Sequence, residues 1–217
     1  MARWGMVIDL KKCIGCWGCV VACKEEHFLP RGVFWNRVLT GETGKFPAVV
    51  KQMYPVLCNH CKDAACVKVC PTGATSKRED GMVLVDYDKC LGCRYCVVAC
   101  PYQQRTFYDD DKAEYYPGQG LTAWEVLGGQ LYPLQKGTVV KCTFCVERID
   151  EGIKRGLTPG VDRDASPACV VACPVEARTF GDLDDPFSNV SQLLKERRGN
   201  QTHPEFGTDP SVYYLSY

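Results

Sequence analysis

The 217-residue chain lacks a charge excess of either sign, a long hydrophobic run and a recognisable leader. Lysine and arginine together number 26, as do aspartate and glutamate, so the composition gives no electrostatic basis for binding nucleic acid. No apolar run approaches the roughly 20 residues needed to cross a bilayer, which argues against an integral membrane protein. Residues 1–9 lack the order of charged, apolar and cleavage-site segments of a secretory signal, so the sequence by itself predicts a cytoplasmic location.

Motifs for bond chemistry are missing as well. The sequence has no glycine-rich phosphate loop after a strand and no nucleophile elbow. We therefore predict no catalytic residues and expect that the chain is not an enzyme by itself.

Cysteine, in contrast, is abundant and ordered. The 16 cysteines form four runs of four with none left over: Cys13, Cys16, Cys19, Cys23; Cys58, Cys61, Cys66, Cys70; Cys90, Cys93, Cys96, Cys100; and Cys142, Cys145, Cys169, Cys173. Three cysteines at intervals of three with a fourth four positions later are the ligand pattern of bacterial [4Fe-4S] ferredoxins. The runs predict ligands for four [4Fe-4S] clusters. A chain with four redox centres is best interpreted as an electron carrier.

In such ferredoxins the fourth cysteine of a run ligates the other cluster of the pair. Applied here, this rule predicts four interleaved sites. We name them site a (Cys13, Cys16, Cys19, Cys173), site b (Cys142, Cys145, Cys169, Cys23), site c (Cys90, Cys93, Cys96, Cys70) and site d (Cys58, Cys61, Cys66, Cys100).

The four runs also form an internal repeat in the order A, B, A, B. Residues 5–23 match residues 81–100, and the second and fourth runs share flanking apolar residues and a following proline. Each repeat reads as a short strand, a cysteine loop containing glycine in the A units, and a short helix that begins at the third cysteine and carries the fourth. Pro71, Pro101 and Pro174 follow a fourth cysteine and should end the helices.

Gap lengths suggest which runs share a fold unit. The second and third runs are separated by 19 residues, against 34 and 41 for the other gaps. We predict an α+β fold of two bacterial-ferredoxin-like units, one nested inside the other, with long loops and an extended C-terminal tail. The expected boundaries are an outer unit at 1–53 and 138–180, an inner unit at 54–108, a connecting loop at 109–137, and a C-terminal partner-binding extension at 181–217.

The C-terminal extension at 181–217 has two parts whose structure the sequence helps to predict. A helix is expected from about Asn189 to Arg198, with Ser188 as its N-cap and Gly199 beyond it. The final residues 213–217 are rich in tyrosine, and exposed aromatics there would suit a strap over a partner, although a frayed terminus is equally compatible.

Other uses of the cysteines remain open at this stage. Structural zinc sites also use pairs of Cys-x2-Cys, but the first and third runs are triplets. A disulfide framework is allowed by the even count, and three-iron clusters are the closest rival, although these usually follow from a missing ligand. Because ligation would supply much of the folding free energy, we predict that the apoprotein is largely unfolded.

Several residues beside the runs have two interpretations. Trp17 could shield a cluster from water or simply pack, and His60 should lie on the surface or behind the ligands. Nearby cations would raise cluster potentials, but most are expected to be solvated: Lys11, Lys12, Lys24, Lys62, Lys89, Arg94, Lys141 and Arg148.

The split fourth run, Cys142–Cys145 and Pro167–Pro174, with Ala177 and the segment Gly181–Pro186, resembles a known family. It is similar to the four-cluster iron-sulfur subunit of the DMSO reductase, or molybdopterin oxidoreductase, family. Members include subunits of polysulfide, thiosulfate, tetrathionate and respiratory arsenate reductases. The resemblance covers residues 3 to about 195, and residues 40–47 and the ending from Gly181 look most similar to the arsenate reductase type.

This resemblance implies partners. It implies a large catalytic subunit with a molybdenum or tungsten bis-pterin cofactor, and often a membrane quinol-linked subunit or a cytochrome. It also implies periplasmic location by co-export with a signal-bearing partner as an alternative to the cytoplasm. The rival assignments are a formate dehydrogenase or hydrogenase complex and a free polyferredoxin shuttle.

Overall fold

The computed structural model describes residues 2–109 and 114–216. The strands in these residues are β1 Trp4–Asp9, β2 Asn36–Lys45, β3 Ala48–Leu57, β4 Thr75–Lys77, β5 Val83–Val85, β6 Thr106–Tyr108, β7 Thr138–Val140, β8 Arg178–Asp182, β9 Asn200–Gln201 and β10 Val212–Leu215. The α-helices are α1 Gly18–Glu26, α2 Ala65–Lys68, α3 Tyr95–Val98, α4 Ala123–Leu131, α5 Val146–Lys154, α6 Ala168–Val171 and α7 Asn189–Glu196. Single-turn 3₁₀ helices occupy Arg163–Ala165 and Pro204–Phe206.

The largest sheet has the order β8-β1-β10-β9, with β1 in its interior. Strand β1 is antiparallel to β8 and parallel to β10, so that Met6 lies opposite both Phe180 and Val212. All six residues of β1 are buried because both faces of the strand are covered. On one face Val7 packs with Val190 of α7, and the other face contributes to the main core.

Three two-stranded sheets complete the strands: β2 with β3, β4 with β5, and β6 with β7. The β2–β3 hairpin is the longest, and most of its residues toward the turn are exposed. The cysteine repeat gives no indication of it. Short helices beside small sheets form the α+β composition expected of ferredoxin-like [4Fe-4S] domains; the nesting of two units and their boundaries stay predictions.

The A repeats share a backbone conformation. Gly15 and Gly92 both have φ +67°, and Trp17 and Arg94 follow with φ near +62° and +63° as the N-caps of α1 and α3. At Gly92 a Cβ would collide with the carbonyl oxygen of Gly137, so glycine is required there for close approach as well as for conformation.

The predicted helices need one correction. Only α1 extends over both its third and fourth cysteines; α2, α3 and α6 are four residues long and end before the fourth. The C-terminal helix is confirmed, with the Ser188 hydroxyl accepting a hydrogen bond from the Ser191 N–H, although the helix ends at Glu196.

Two further expectations differ from the structure. The segment 109–137 is not only a connecting loop, because its described part contains α4, whose N-terminus has a capping box formed by Thr122 and Glu125. The expectation of exposed aromatics near the C-terminus is wrong for Tyr214, which is 4% exposed because β10 pairs with β1. Tyr217 lies outside the described residues. A partner-binding role for 181–217 stays a prediction.

Candidate iron-sulfur centres

Two of the predicted ligand sets line separate cavities. Cys58, Cys61, Cys66 and Cys100 of site d surround one cavity together with Arg105 and Thr208. Cys13, Cys16, Cys19 and Cys173 of site a surround another, together with Trp17 and Arg178. In each cavity three cysteines come from one run and the fourth from another run, the neighbouring third run in site d and the distant fourth run in site a.

The cysteines assigned to sites b and c also lie near one another, because their thiols affect each other's pKa values. Burial raises the pKa of Cys23 well above its ordinary range, and the nearby Cys142, Cys145 and Cys169 raise it further. These four are the predicted members of site b.

Site c shows the same kind of grouping. Burial raises the pKa of Cys96, Arg105 partly opposes this, and Cys90 and Cys70 raise it again. The structure thus brings Cys96 near Cys70, which belongs to the preceding run.

All 16 cysteines lie in the described residues and none is in a disulfide. Among those residues, no three His, Cys, Asp or Glu side chains are grouped closely enough to hold a single metal ion. A tetrahedral zinc site would need such a group, because Zn–S bonds are about 2.3 Å long. A cluster of four irons holds its thiolates farther apart, so the cavities fit a cluster better than one ion.

The thiols also have hydrogen-bond donors directed at sulfur. Backbone N–H groups donate to Cys70 Sγ from Thr75 (3.3 Å) and to Cys173 Sγ from Ala177 (3.3 Å). The His27 Nε2 atom lies 3.3 Å from Cys145 Sγ. Such contacts stabilise negative charge on sulfur and orient ligands.

Burial raises the pKa of Cys61 and of Cys142 to about 12. Free thiols in these positions would therefore keep their protons at neutral pH. Iron binds thiolate, so ligation has to displace those protons, and its free energy contributes to folding.

His60 does not lie on the surface. It is 1% exposed, and its ring stacks on that of Phe144 with centroids 3.8 Å apart. His60 lies between the first two cysteines of site d, and Phe144 between those of site b, so the stack joins the two cysteine loops. Trp17 is 46% exposed beside site a, which agrees with partial shielding rather than with a core position.

Two arginines that the cysteine pattern does not reveal touch cysteine sulfur. Arg105 and Arg178 are each the fifth residue after a fourth cysteine that proline follows, Cys100 and Cys173. Comparing the residues that follow the fourth cysteines of the third and fourth runs would have found this shared offset. Among the cations beside the runs, Lys141 is 2% exposed and is an exception to the expectation that most of them are solvated.

Comparison with known proteins identifies the family. Models described as 4Fe-4S dicluster domain match residues 12–74 and 49–116. The arsenate respiratory reductase iron-sulfur subunit ArrB of Shewanella sp. is 43% identical across 98% of this chain and 96% of its own length. The chain belongs to the iron-sulfur subunits of the DMSO reductase family.

Other relatives of this iron-sulfur subunit serve different reactions. A sulfite dehydrogenase subunit of Allochromatium vinosum is 40% identical across 99% of this chain and 83% of its own length. A selenate reductase subunit of Mesobacillus selenatarsenatis is 41% identical across 99% and 72%. The present chain is thus a non-catalytic electron-transfer component of a molybdopterin oxidoreductase complex. No helix within its described residues is long and apolar enough to span a membrane.

Proposed function

We propose that the chain binds four [4Fe-4S] clusters at sites a, b, c and d and relays electrons between a catalytic subunit and a second redox partner. The observation that carries this proposal is the pair of cavities lined by four cysteines each, three from one run and the fourth from another run. The clusters, when bound, supply reversible one-electron centres. The chain's residues hold them, exclude water and present the terminal sites to partners.

The order a, b, d, c is supported by contacts between neighbouring sites. Burial raises the pKa of Cys19 in site a, and Cys169 of site b is close enough to raise it further. Cys142 of site b is likewise close enough to Cys58 of site d for that thiol to raise its pKa. Cys96 of site c shares Arg105 with site d.

The two ends of this order are the most exposed. Cys16 of site a and Cys93 of site c are exposed, whereas all four cysteines of site b are buried. Ile14 beside site a is 61% exposed, and its repeat counterpart Leu91 beside site c is 75% exposed. Exposed apolar residues over a redox site suit a docking surface, so we assign partner contacts to these two ends.

The partners follow from the family. We propose a large catalytic subunit that carries a molybdenum or tungsten bis-pterin at one end. At the other end we propose a quinol-linked membrane subunit or a cytochrome. The names of the relatives refer to an arsenate respiratory reductase, a sulfite dehydrogenase and a selenate reductase. An arsenate-reductase-type complex is our preferred assignment because ArrB matches nearly end to end.

Iron analysis and paired substitutions test the proposal. Anaerobically purified protein should contain about sixteen iron atoms. Cys70→Ala combined with Cys90→Ala should affect one cluster only, because both residues are assigned to site c. Cys70→Ala combined with Cys66→Ala should affect two. Equal losses of iron and of paramagnetic signal in the two pairs would refute the interleaved ligand sets.

The partner assignment needs a separate experiment. Pull-down of the chain from its native host, followed by mass spectrometry and metal analysis, should recover a large polypeptide with molybdenum or tungsten. Recovery of a nickel enzyme, or of a stable monomer with no bound polypeptide, would instead support the hydrogenase or shuttle alternatives.

A further inference from the structure

Three cations are buried among the cysteine sites. Lys141 is 2% exposed, Arg178 is 4% exposed and Arg105 is 5% exposed. None of them forms an ion pair with a carboxylate within residues 2–109 and 114–216. An uncompensated buried cation is strongly unfavourable. Their counter-charge must therefore come from the groups they do contact, which include sulfur.

Arg178 lies between sites a and b. Its Nη2 atom donates to Cys19 Sγ at 3.4 Å, and its Nη1 atom donates to Cys169 Sγ at 3.7 Å. Asn36 Oδ1 accepts a further bond from Nη2 at 3.0 Å, which fixes the guanidinium plane. One side chain thus contacts a ligand of each site.

Arg105 has the equivalent place between sites d and c. Its Nη2 atom donates to Cys66 Sγ at 3.0 Å, and its Nη1 atom donates to Thr75 Oγ1 at 3.1 Å. Its guanidinium also interacts with the Cys96 side chain of site c, both by a hydrogen bond and through its charge. The two arginines therefore share both their offset from a fourth cysteine and a position between paired sites.

Lys141 lies at the remaining step, between sites b and d. Its Nζ atom donates to the Cys142 carbonyl oxygen at 2.6 Å. Lys141 directly precedes Cys142 of site b, and its buried charge also lies close enough to Cys66 of site d to act on that side chain. The Lys141 charge thus acts on one thiol from each of the two sites.

We propose that Arg178, Lys141 and Arg105 are potential-setting residues, one at each step of the order a, b, d, c, and that each raises the reduction potentials of the two clusters beside it. The proposal rests on the proposed function, since it takes the four ligand sets as given. Reduction adds negative charge to a cluster that is already anionic, and a buried cation stabilises that added charge. A cation shared by two sites acts on both in the same direction, so it raises the two neighbouring potentials together.

Redox titration of the holoprotein, monitored by electron paramagnetic resonance, tests this. Arg178→Met should lower two of the four midpoint potentials, and Arg105→Met should lower the other two. Lys141→Met should lower one of the two midpoints that Arg178→Met lowers and one of the two that Arg105→Met lowers. At a fixed ambient potential we expect about a tenfold fall in the reduced-to-oxidised ratio at each affected cluster, which is about 59 mV for a one-electron couple.

Matched variants separate charge from shape. Arg155 is exposed and pairs with Asp164, so Arg155→Met removes one positive charge away from the sites and should leave all midpoints unchanged. Arg178→Lys, Arg105→Lys and Lys141→Arg retain the charge and should keep midpoints near those of the native protein. If a methionine variant fails to bind iron, the corresponding glutamine variant, which keeps an N–H donor without charge, is titrated instead.

The outcomes are distinct. Unchanged midpoints in neutral variants with full iron content would overturn the proposal, as would equal shifts in Arg155→Met. Loss of iron from neutral and charge-retaining variants alike would also overturn it. The side chains would then be required for the structure of the cluster sites and not for their charge. A native protein with far fewer than about sixteen iron atoms would refute the proposed function itself.

Discussion

At the scale of single residues, the contact between Phe144 and His60 joins the cysteine loops of sites b and d. Phe144 is 1% exposed and also packs edge to face on Phe180 with centroids 5.4 Å apart. Removing a buried aromatic ring costs about 3–5 kcal/mol and opens a cavity. In this place the cavity would also admit water and oxygen between two sites.

We therefore expect Phe144→Ala to lower the denaturant concentration at which cluster absorbance is lost and to speed bleaching in air. Phe187 is 81% exposed, so Phe187→Ala removes the same ring without a cavity and should change neither quantity. Similar bleaching rates for the two variants would show that the stack does not protect the sites.

Individual residues were unevenly predictable from the sequence. The cysteine ligands could be predicted from the sequence, because metal ligation requires both a particular residue type and a particular spacing. Arg105 and Arg178 were not, because their role depends on burial, and arginine a few residues after a cysteine is otherwise unremarkable in sequence. A surface position for His60 was wrong, because the Phe144 ring from a distant run buries it.

At the scale of elements, the A-repeat loops depend on glycine for two separable reasons. Gly92 in the third run and Gly73, which follows the second run and lies outside the A-repeat loops, both have φ +67°, where a residue with a Cβ costs roughly 1–2 kcal/mol. A Cβ at Gly92 would in addition collide with the Gly137 carbonyl oxygen, whereas one at Gly73 would meet nothing within 4 Å.

Gly73→Ala should thus retain full iron content with a modest loss of stability. Gly92→Ala should lose the site c cluster, about four of about sixteen iron atoms. Iron quantitation after identical purification compares the two directly. Equal iron contents would mean that the collision with the Gly137 carbonyl oxygen does not decide whether the site c cluster binds.

Strands near a cysteine run were predictable, as was helix α7 from its Ser188 N-cap, whereas two other elements away from the runs were missed. Strands β1 and β5 precede their loops as the repeat indicated, since a short apolar stretch before a turn is a local signal. Helix α4 was missed, although Thr122 and Glu125 are spaced as a capping box. The β2–β3 hairpin was missed because its exposed residues lack a hydrophobic alternation against a core.

At the scale of the whole molecule, the cysteine sites are part of the core. Seven of the 16 cysteines are buried, and three cations are buried beside them. Without bound clusters the cations would lose their counter-charge and the cavities would be left open. Small metal-built domains of this kind fold with their metal.

Chelation of iron under anaerobic conditions should therefore abolish cooperative thermal unfolding followed by circular dichroism. Reconstitution with iron and sulfide should restore it. A chelated sample that keeps a sharp transition would show that the apolar contacts of β1 with β8 and β10 are sufficient for the fold.

The interior position of β1 has a consequence for biosynthesis. This strand is synthesised long before β8 and β10, the strands on either side of it in the sheet. Contacts so distant along the chain form slowly. The apolar residues 4–9 therefore stay unpaired until β8 and β10 have been synthesised, and a chaperone that binds them during this interval would favour correct folding.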